Sequence, residues 1–271
     1  MKKITKGKVL ILTDIHQSIG AYAEHILERE TDWDHIIING DMLDTFRTPD
    51  GHMVYGVTAT CLWINEKMEE WGDKVTWHVA NHDVAYLASY TKDYTNTKPS
   101  PYYYCSGWTK NKAKYFNKEI NPEWLNKLEL CTQLGDNIVV SHAGFHYRHF
   151  KPYMSELDNI KWYYNEWEKD RRIFHREPWH WIWDVGQCRG GQAVVGSPVW
   201  LDWNNEFTPI DNVQQIVGHT TTSDVSLRIL SNGENLKNWC IDCMQQVYAV
   251  WENEEVTVKD ISGKILTNKQ K

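Results

Sequence analysis

Five short stretches carry the residue types that bind metal ions and move protons: Asp14-Ile15-His16, Gly40-Asp41-Met42-Leu43-Asp44, Asn81-His82-Asp83, His142-Ala143-Gly144 and Gly218-His219-Thr220. Carboxylate and imidazole together suit hard and borderline divalent cations. Two such ions about 3.5–4 Å apart need one carboxylate shared between them. Asp41 comes soon after an apolar run and is the natural shared ligand. Asp14 and His16, two apart in an extended segment, project to one side and can clamp a first ion. Asn81, His142 and His219 can complete a second. Each stretch alone is a weak signal, because a histidine at a strand end is more often a hydrogen-bonded structural residue. The set, in this order, carries the chemistry.

The elements that must position them are legible as short apolar runs immediately upstream. These are Val9-Leu10-Ile11-Leu12, Ile36-Ile37-Ile38, Val75-Thr76-Trp77-His78-Val79, Ile138-Val139-Val140 and Gln215-Ile216-Val217. Their β-branched character predicts strands buried on both faces. Residues 19–30 and 54–71 read as helices between the first three runs, so the chain predicts βαβ units and a parallel sheet. Ligands of such sheets sit beyond the carboxyl ends of the strands, where all five stretches fall.

Further on, residues 86–107 read as a long loop. Asn121-Pro122-Glu123 opens a helix expected to reach about residue 130, with Asn as cap and Pro in the first turn. Residues 155–174 predict a helix, residues 178–203 an irregular aromatic stretch, and residues 225–261 alternating strands with a hairpin signal at Ser231-Asn232-Gly233. The chain reads as one domain spanning 1–271 with an aromatic-rich insertion at about 146–200, where many of the fifteen tryptophans gather.

With 29 Lys and Arg against 36 Asp and Glu, the net charge is −7. That excludes a basic nucleic-acid surface, and no tight non-specific nucleic-acid binding is expected. The basic N-terminus lacks the apolar run of a signal peptide, and no stretch approaches the roughly 18 apolar residues of a membrane span. The expected location is the cytoplasm, with no membrane partner. Six scattered cysteines then read as free thiols, and Cys240-Ile241-Asp242-Cys243 has no second pair to make a zinc site.

The five blocks resemble those of calcineurin-like metallophosphoesterases, with the closest pattern in the phosphoprotein-phosphatase branch and its small bacterial and phage-type members. The resemblance covers roughly residues 8–145 and 195–250. It implies a four-layer αββα sandwich, two mixed sheets with flanking helices. It also implies hydrolysis of phosphate esters by a dinuclear centre with a metal-bridging hydroxide as nucleophile. By motif, Asp14, His16 and Asp41 would hold the first metal, and Asp41, Asn81, His142 and His219 the second. Manganese is the foremost candidate, with iron, zinc, nickel or cobalt as alternatives. His82 would be the general acid, and Asp44 would pair with its imidazole and fix its tautomer. Asp83 reads as a cap or loop residue, His78 as a strand side chain, and His146, His149, His175 and His180 as surface or aromatic-packing residues.

The chain departs from the branch in places. Asp44-Thr45-Phe46 replaces the family's Asp-Arg-Gly, so its phosphate-gripping arginine is missing; Arg47 lies close enough to substitute. Arg189, near Pro198-Val199-Trp200-Leu201-Asp202-Trp203, is the candidate for a second phosphate-binding arginine. Gln17 and Ala80 stand where the family has glycine, and Ala80 is expected to strain its turn, since alanine tolerates positive φ poorly. Thr221, where other branches carry a ligand histidine, favours the phosphatase branch. The implied substrate is a phosphomonoester of a protein or small molecule. A symmetrical dinucleoside-tetraphosphatase or phosphodiesterase is the alternative, with the aromatic insertion as a possible stacking surface for bases. A non-catalytic scaffold is disfavoured because no ligand position is lost. Oligomeric state is not legible.

Overall fold

The computed structural model describes residues 1–45, 56–90, 105–170, 181–229 and 236–266. In chain order the strands are β1 (Lys2–Ile4), β2 (Val9–Leu12), β3 (His35–Ile38), β4 (Val75–His78), β5 (Leu128–Glu129), β6 (Cys131–Leu134), β7 (Ile138–Ser141), β8 (Gln214–Val217), β9 (Ser226–Ile229), β10 (Lys237–Cys240), β11 (Val247–Glu252) and β12 (Glu255–Asp260). The helices are α1 (His25–Leu27), α2 (Val57–Trp71), α3 (Asn81–Ala88), α4 (Lys110–Glu119), α5 (Pro122–Lys127) and α6 (Glu156–Asp170). They build two six-stranded mixed sheets, ordered β12-β11-β2-β3-β4-β5 and β1-β6-β7-β8-β10-β9, with flanking helices.

Alternation along the strands explains the layering. Val9, Ile11 and Ile37 meet Ile138, Val140 and Ile216 between the two sheets, and Trp239, Ala249 and Trp251 join them. Leu10, Leu12, Ile36 and Ile38 face the other way, into the cluster that holds Ile64 and Met68 of α2, Val84 of α3 and Phe116 of α4. Both faces are dry, which is why these strands are continuous apolar runs. In the first sheet β2, β3 and β4 are parallel neighbours, and in the second β7 and β8 are parallel neighbours. The five strands that precede the candidate site therefore deliver their carboxyl ends side by side.

The structure alters several expectations. Residues 19–30 form a π-helical turn, Ile19–Glu24, running into α1. The helix opening at Asn121 has the cap and proline foreseen, with Asn121 accepting from the Glu123 N–H at 2.9 Å. It stops at Lys127, not at about residue 130. Leu128 and Glu129 instead pair with Trp77 and His78 of β4, because the open edge of β4 offers hydrogen bonds that another half-turn of exposed helix does not. The chain then crosses at Leu130 into β6 of the other sheet. The loop expected over 86–107 begins later than foreseen, because α3 runs on to Ala88; residues 91–104 of it lie outside the described residues, and Lys110–Glu119 forms a helix capped by Thr109. Residues 178–203 carry short 3-10 turns at Trp181–Trp183 and Gln187–Arg189. The hairpin signal at 231–233 lies outside the described residues, as do His175 and His180; β9 and β10, which flank the former, pair antiparallel. His78 is a strand side chain, its nitrogens 2.7 Å from Asn39 Oδ1 and 2.8 Å from Thr132 Oγ1. His146 is buried, its ring 4.1 Å from that of Tyr147, and His149 packs on Tyr163.

Candidate metal centre

The strand ends turn sharply enough to aim several side chains at one volume. Six of the eleven non-glycine residues with positive φ among the described residues lie here: Asp14, His16, Gln17, Asp41, Asp44 and His219. Left-handed backbone of this kind costs of order 1 kcal/mol or more per residue and persists only where surrounding bonds hold it. Those bonds are present. The His16 N–H donates to the Asp41 carbonyl at 2.7 Å and the Gln17 N–H to the Met42 carbonyl at 3.0 Å. Asp83, in the first turn of α3, accepts the Asp41 and Met42 N–H groups at 3.0 and 3.1 Å. Its role is that of a cap for the loop after β3, delivered from a helix. Gly40 packs so closely on Ala80 that an added Cβ would stand 2.3 Å from the alanine methyl. The strain expected of Ala80 is absent: it is extended, with φ −135° and ψ 167°, so the alanine costs nothing there.

Two groups of potential ligands share Asp41. Asp14, His16 and Asp41 each offer an atom within 4.8 Å of the others, as do Asp41, His142 and His219. Asp41 Oδ2 lies 3.6 Å from His16 Nε2 and 3.5 Å from His142 Nε2, while Oδ1 accepts the His82 N–H at 3.1 Å. Asn81 Oδ1 is 2.9 Å from both His142 Nε2 and His219 Nδ1. The Asp14 carboxylate accepts the His219 N–H and the Thr13 hydroxyl.

The imidazoles are oriented from behind. His16 Nδ1 faces the Asp44 carbonyl at 2.6 Å, and His142 Nδ1 faces the Asn39 carbonyl at 2.9 Å. A neutral ring donating there presents a bare lone pair on Nε2. Burial pushes His16 down to about 4 and His219 well below its ordinary value. Burial also pushes His142 down to about 3, against the Asn39 carbonyl. All three rings are therefore neutral, the ligating form. Burial, then the charge of neighbouring carboxylates, drives Asp14 and Asp41 well above the usual carboxylate range. Asp14, Asp41, Asp83 and Asp242 are all almost wholly buried. With His142 Nδ1 turned to the Asn39 carbonyl, His142 Nε2 and Asn81 Oδ1 face each other at 2.9 Å as two acceptors beside buried carboxylates, an arrangement that a divalent cation would satisfy. The residues fit a metal.

Beside this cage, His82 Nδ1 donates to Asp44 Oδ2 at 3.1 Å, and the His82 and His16 rings meet edge to face at 5.1 Å. Asp44 Oδ1 accepts from the Tyr86 hydroxyl at 2.6 Å and Lys112 Nζ at 3.0 Å. Burial raises the Asp44 carboxyl, but the bonds from His82, Tyr86 and Lys112 outweigh it and the net displacement is downward. Arg189 is held by Asp202 Oδ2 at 2.7 Å and donates to Thr220 Oγ1, next to His219, at 2.9 Å. Trp200 stands edge to face on His219 at 5.7 Å. Arg47 lies outside the described residues. The structure therefore brings together Asp14, His16, Asp41, Asn81, His82, Asp44, His142 and His219, with Arg189 at the rim. Sequence reasoning missed Tyr86, Cys105, Lys112 and Asp242. The Thr109 cap and the apolar spacing Ala113, Phe116, Ile120 could have revealed the helix that carries Lys112; nothing local marks the others.

A family profile for calcineurin-like phosphoesterase matches residues 7–222. No curated protein matches the chain. Among solved structures, the cold-active protein-tyrosine phosphatase of a psychrophilic Shewanella species is 17% identical, with TM-score 0.61, covering 99% of this chain and 82% of that one. Another structure of cold-active protein tyrosine phosphatase is 13% identical, with TM-score 0.59, covering 99% and 80%. These likenesses are of fold.

Proposed function

The chain belongs to the calcineurin-like phosphoesterase family, and on that premise we propose that it is a metal-dependent phosphomonoesterase of the phosphoprotein-phosphatase branch, acting on phosphorylated protein or small molecules. Asp14, His16 and Asp41 would hold one divalent cation, and Asp41, Asn81, His142 and His219 would hold the other, with manganese the foremost candidate. The observation that carries this reading is the convergence of Asp41 Oδ2 and Asn81 Oδ1 on His142 Nε2, whose ring is turned by the Asn39 carbonyl at Nδ1. Cations bound there would lower the pKa of a coordinated water and neutralise phosphoryl charge. His82, fixed by Asp44 Oδ2, gives its proton to the leaving-group oxygen. Asp44 accepts from Nδ1–H and so orients the imidazolium with its Nε2–H toward the leaving group. Arg189, fixed by Asp202 and Thr220, grips a phosphoryl oxygen as a planar two-pronged donor. The six free thiols support a reducing compartment, the cytoplasm; among the described residues no helix is long and apolar enough to cross a membrane.

Purified protein is expected to hydrolyse a chromogenic aryl phosphate when Mn²⁺ is added and to stop with a chelator; Asp41→Asn is expected to abolish turnover through loss of the shared ligand. Undiminished hydrolysis after thorough metal removal would refute the reading. Trp200, partly exposed beside His219, supports a second reading, a dinucleoside-tetraphosphatase or phosphodiesterase that stacks a base. Comparing a phosphopeptide, a dinucleoside polyphosphate and a bis-aryl diester separates the two.

A further inference from the structure

Residues outside the five motif blocks close over the site from one side. The chain turns at Cys105, with the Trp108 N–H donating to the Cys105 carbonyl at 3.2 Å. Gly107, at φ +92°, lies so close to Asp44 that an added Cβ would be 2.9 Å from its Cβ and Cγ. Lys112, one turn into α4, donates to the Gly107 carbonyl at 2.7 Å and to Asp44 Oδ1 at 3.0 Å. At the other end of the turn, Asn81 Nδ2 donates to Cys105 Sγ at 3.3 Å. One short segment thus touches both the carboxylate that orients His82 and the amide that faces His142 and His219.

We propose that residues 105–112 are a clasp in which Lys112 and Cys105 are positioning residues, Lys112 for the acid pair Asp44–His82 and Cys105 for Asn81. The clasp rests on the phosphoesterase reading and deepens it. Asp44 is fully buried, and a buried carboxylate needs compensating donors or a cation. Tyr86 and Lys112 both occupy Oδ1, which leaves Oδ2 to His82 and prevents rotation about Cβ–Cγ. Without Lys112 the carboxylate keeps one neutral donor on Oδ1, and the imidazole loses its fixed direction. The sulfur does the corresponding work on Asn81. By taking Nδ2–H it keeps Oδ1 pointed at the two imidazoles; an amide turned over would put two protons into the cage and repel a cation.

The test uses the full chain with Mn²⁺, an aryl phosphate with a good leaving group, glycerol 2-phosphate with a poor one, and calorimetric Mn²⁺ titration. A good leaving group departs without a proton, so a defect confined to the acid spares it. Lys112→Met is expected to lower kcat on glycerol 2-phosphate ~10–100-fold and on the aryl ester less than ~3-fold, with KM unchanged; His82→Asn gives the same pattern more strongly. Lys112→Arg, which keeps a cation there, recovers most of the loss. Cys105→Ala is expected to weaken one of the two Mn²⁺ sites ~10-fold, the scale of outer-shell changes, while Cys105→Ser, which keeps an acceptor, stays near wild type. Equal losses on both esters, or a raised KM with kcat intact, overturn the role of Lys112, the latter pointing to direct phosphate binding. An unchanged titration in Cys105→Ala overturns the role of Cys105. A wild type that binds Mn²⁺ but hydrolyses neither ester refutes the phosphoesterase reading, and the titration still decides the cysteine. Thermal melting of every variant separates these effects from misfolding.

Discussion

At the residue scale the site is made of backbone that few side chains tolerate and of contacts that leave no spare volume. Gly218 shows the second point. A Cβ there would stand 2.0 Å from Asp14 Oδ2 and from Thr13 Oγ1, two buried side-chain oxygens that are hydrogen-bonded to each other, the carboxylate also accepting the His219 N–H. The smallest substitution must therefore displace Asp14 or swing His219 away from Asn81. Gly218→Ala is expected to destabilise the fold by about 1–3 kcal/mol, the range of overpacking, and to cost more in metal affinity than in stability. Mn²⁺ titration beside urea unfolding checks this; an unchanged affinity would show that the cage tolerates movement of Asp14. Residues of this kind were legible because each follows a strand end within six positions, so local order along the chain announces it. Lys112 was not, because it reaches Asp44 across 68 positions. Cys105 looked like any buried thiol until Asn81 was placed beside it.

At the scale of elements, the strands that carry the site were legible because burial on both faces demands unbroken runs of Val, Ile and Leu. The elements that were missed owe their state to neighbours. Leu128–Glu129 is a strand only because β4 offers an edge, and Cys131-Thr132-Gln133-Leu134 has no run of its own yet pairs with β1 and β7. The elements are also tied by charge in one place remote from the site. Glu30, just beyond α1, accepts from Lys8 at 2.7 Å, Lys259 of β12 at 2.5 Å and Tyr248 of β11 at 2.8 Å. Burial would raise its carboxyl, but these three bonds outweigh it and bring the pKa to about 2, against an ordinary 4.5. As pH falls through about 4.5 the unfolded chain takes up a proton that the folded chain refuses until about 2. The stability Glu30 contributes is therefore complete above about 4.5 and is lost as pH falls toward 2. Glu30→Gln is expected to lose about 1–3 kcal/mol at pH 7 and to show a flatter decline between pH 4.5 and 2. Urea unfolding across that range measures both; parallel curves for the two proteins would count against the network.

At the scale of the whole molecule, the proposed ligands come from both sheets. Asp14, His16, Asp41 and Asn81 follow β2, β3 and β4, whereas His142 and His219 follow β7 and β8 of the other sheet. The sheets otherwise meet through apolar packing between Val9, Ile11, Ile37 and Val140, Ile216, which resists separation but has little directional preference. A cation held through Asp41 would join them by directional bonds at the end where the carboxylates of Asp14, Asp41, Asp44, Asp83 and Asp242 are buried. Metal should therefore stabilise the protein globally, with protection spread over both sheets. At a free Mn²⁺ concentration 100 times the dissociation constant the gain is about 2.7 kcal/mol, or roughly 5–10 °C in melting temperature for a chain of this size. The expected outcome is a single melting transition that moves up together with added Mn²⁺. Slower amide exchange should appear in Leu10–Leu12 and in Val139–Ser141 alike, and both effects should be absent in Asp41→Asn. Exchange slowed in only one sheet would mean that cations bind to one half of the cage without joining the two.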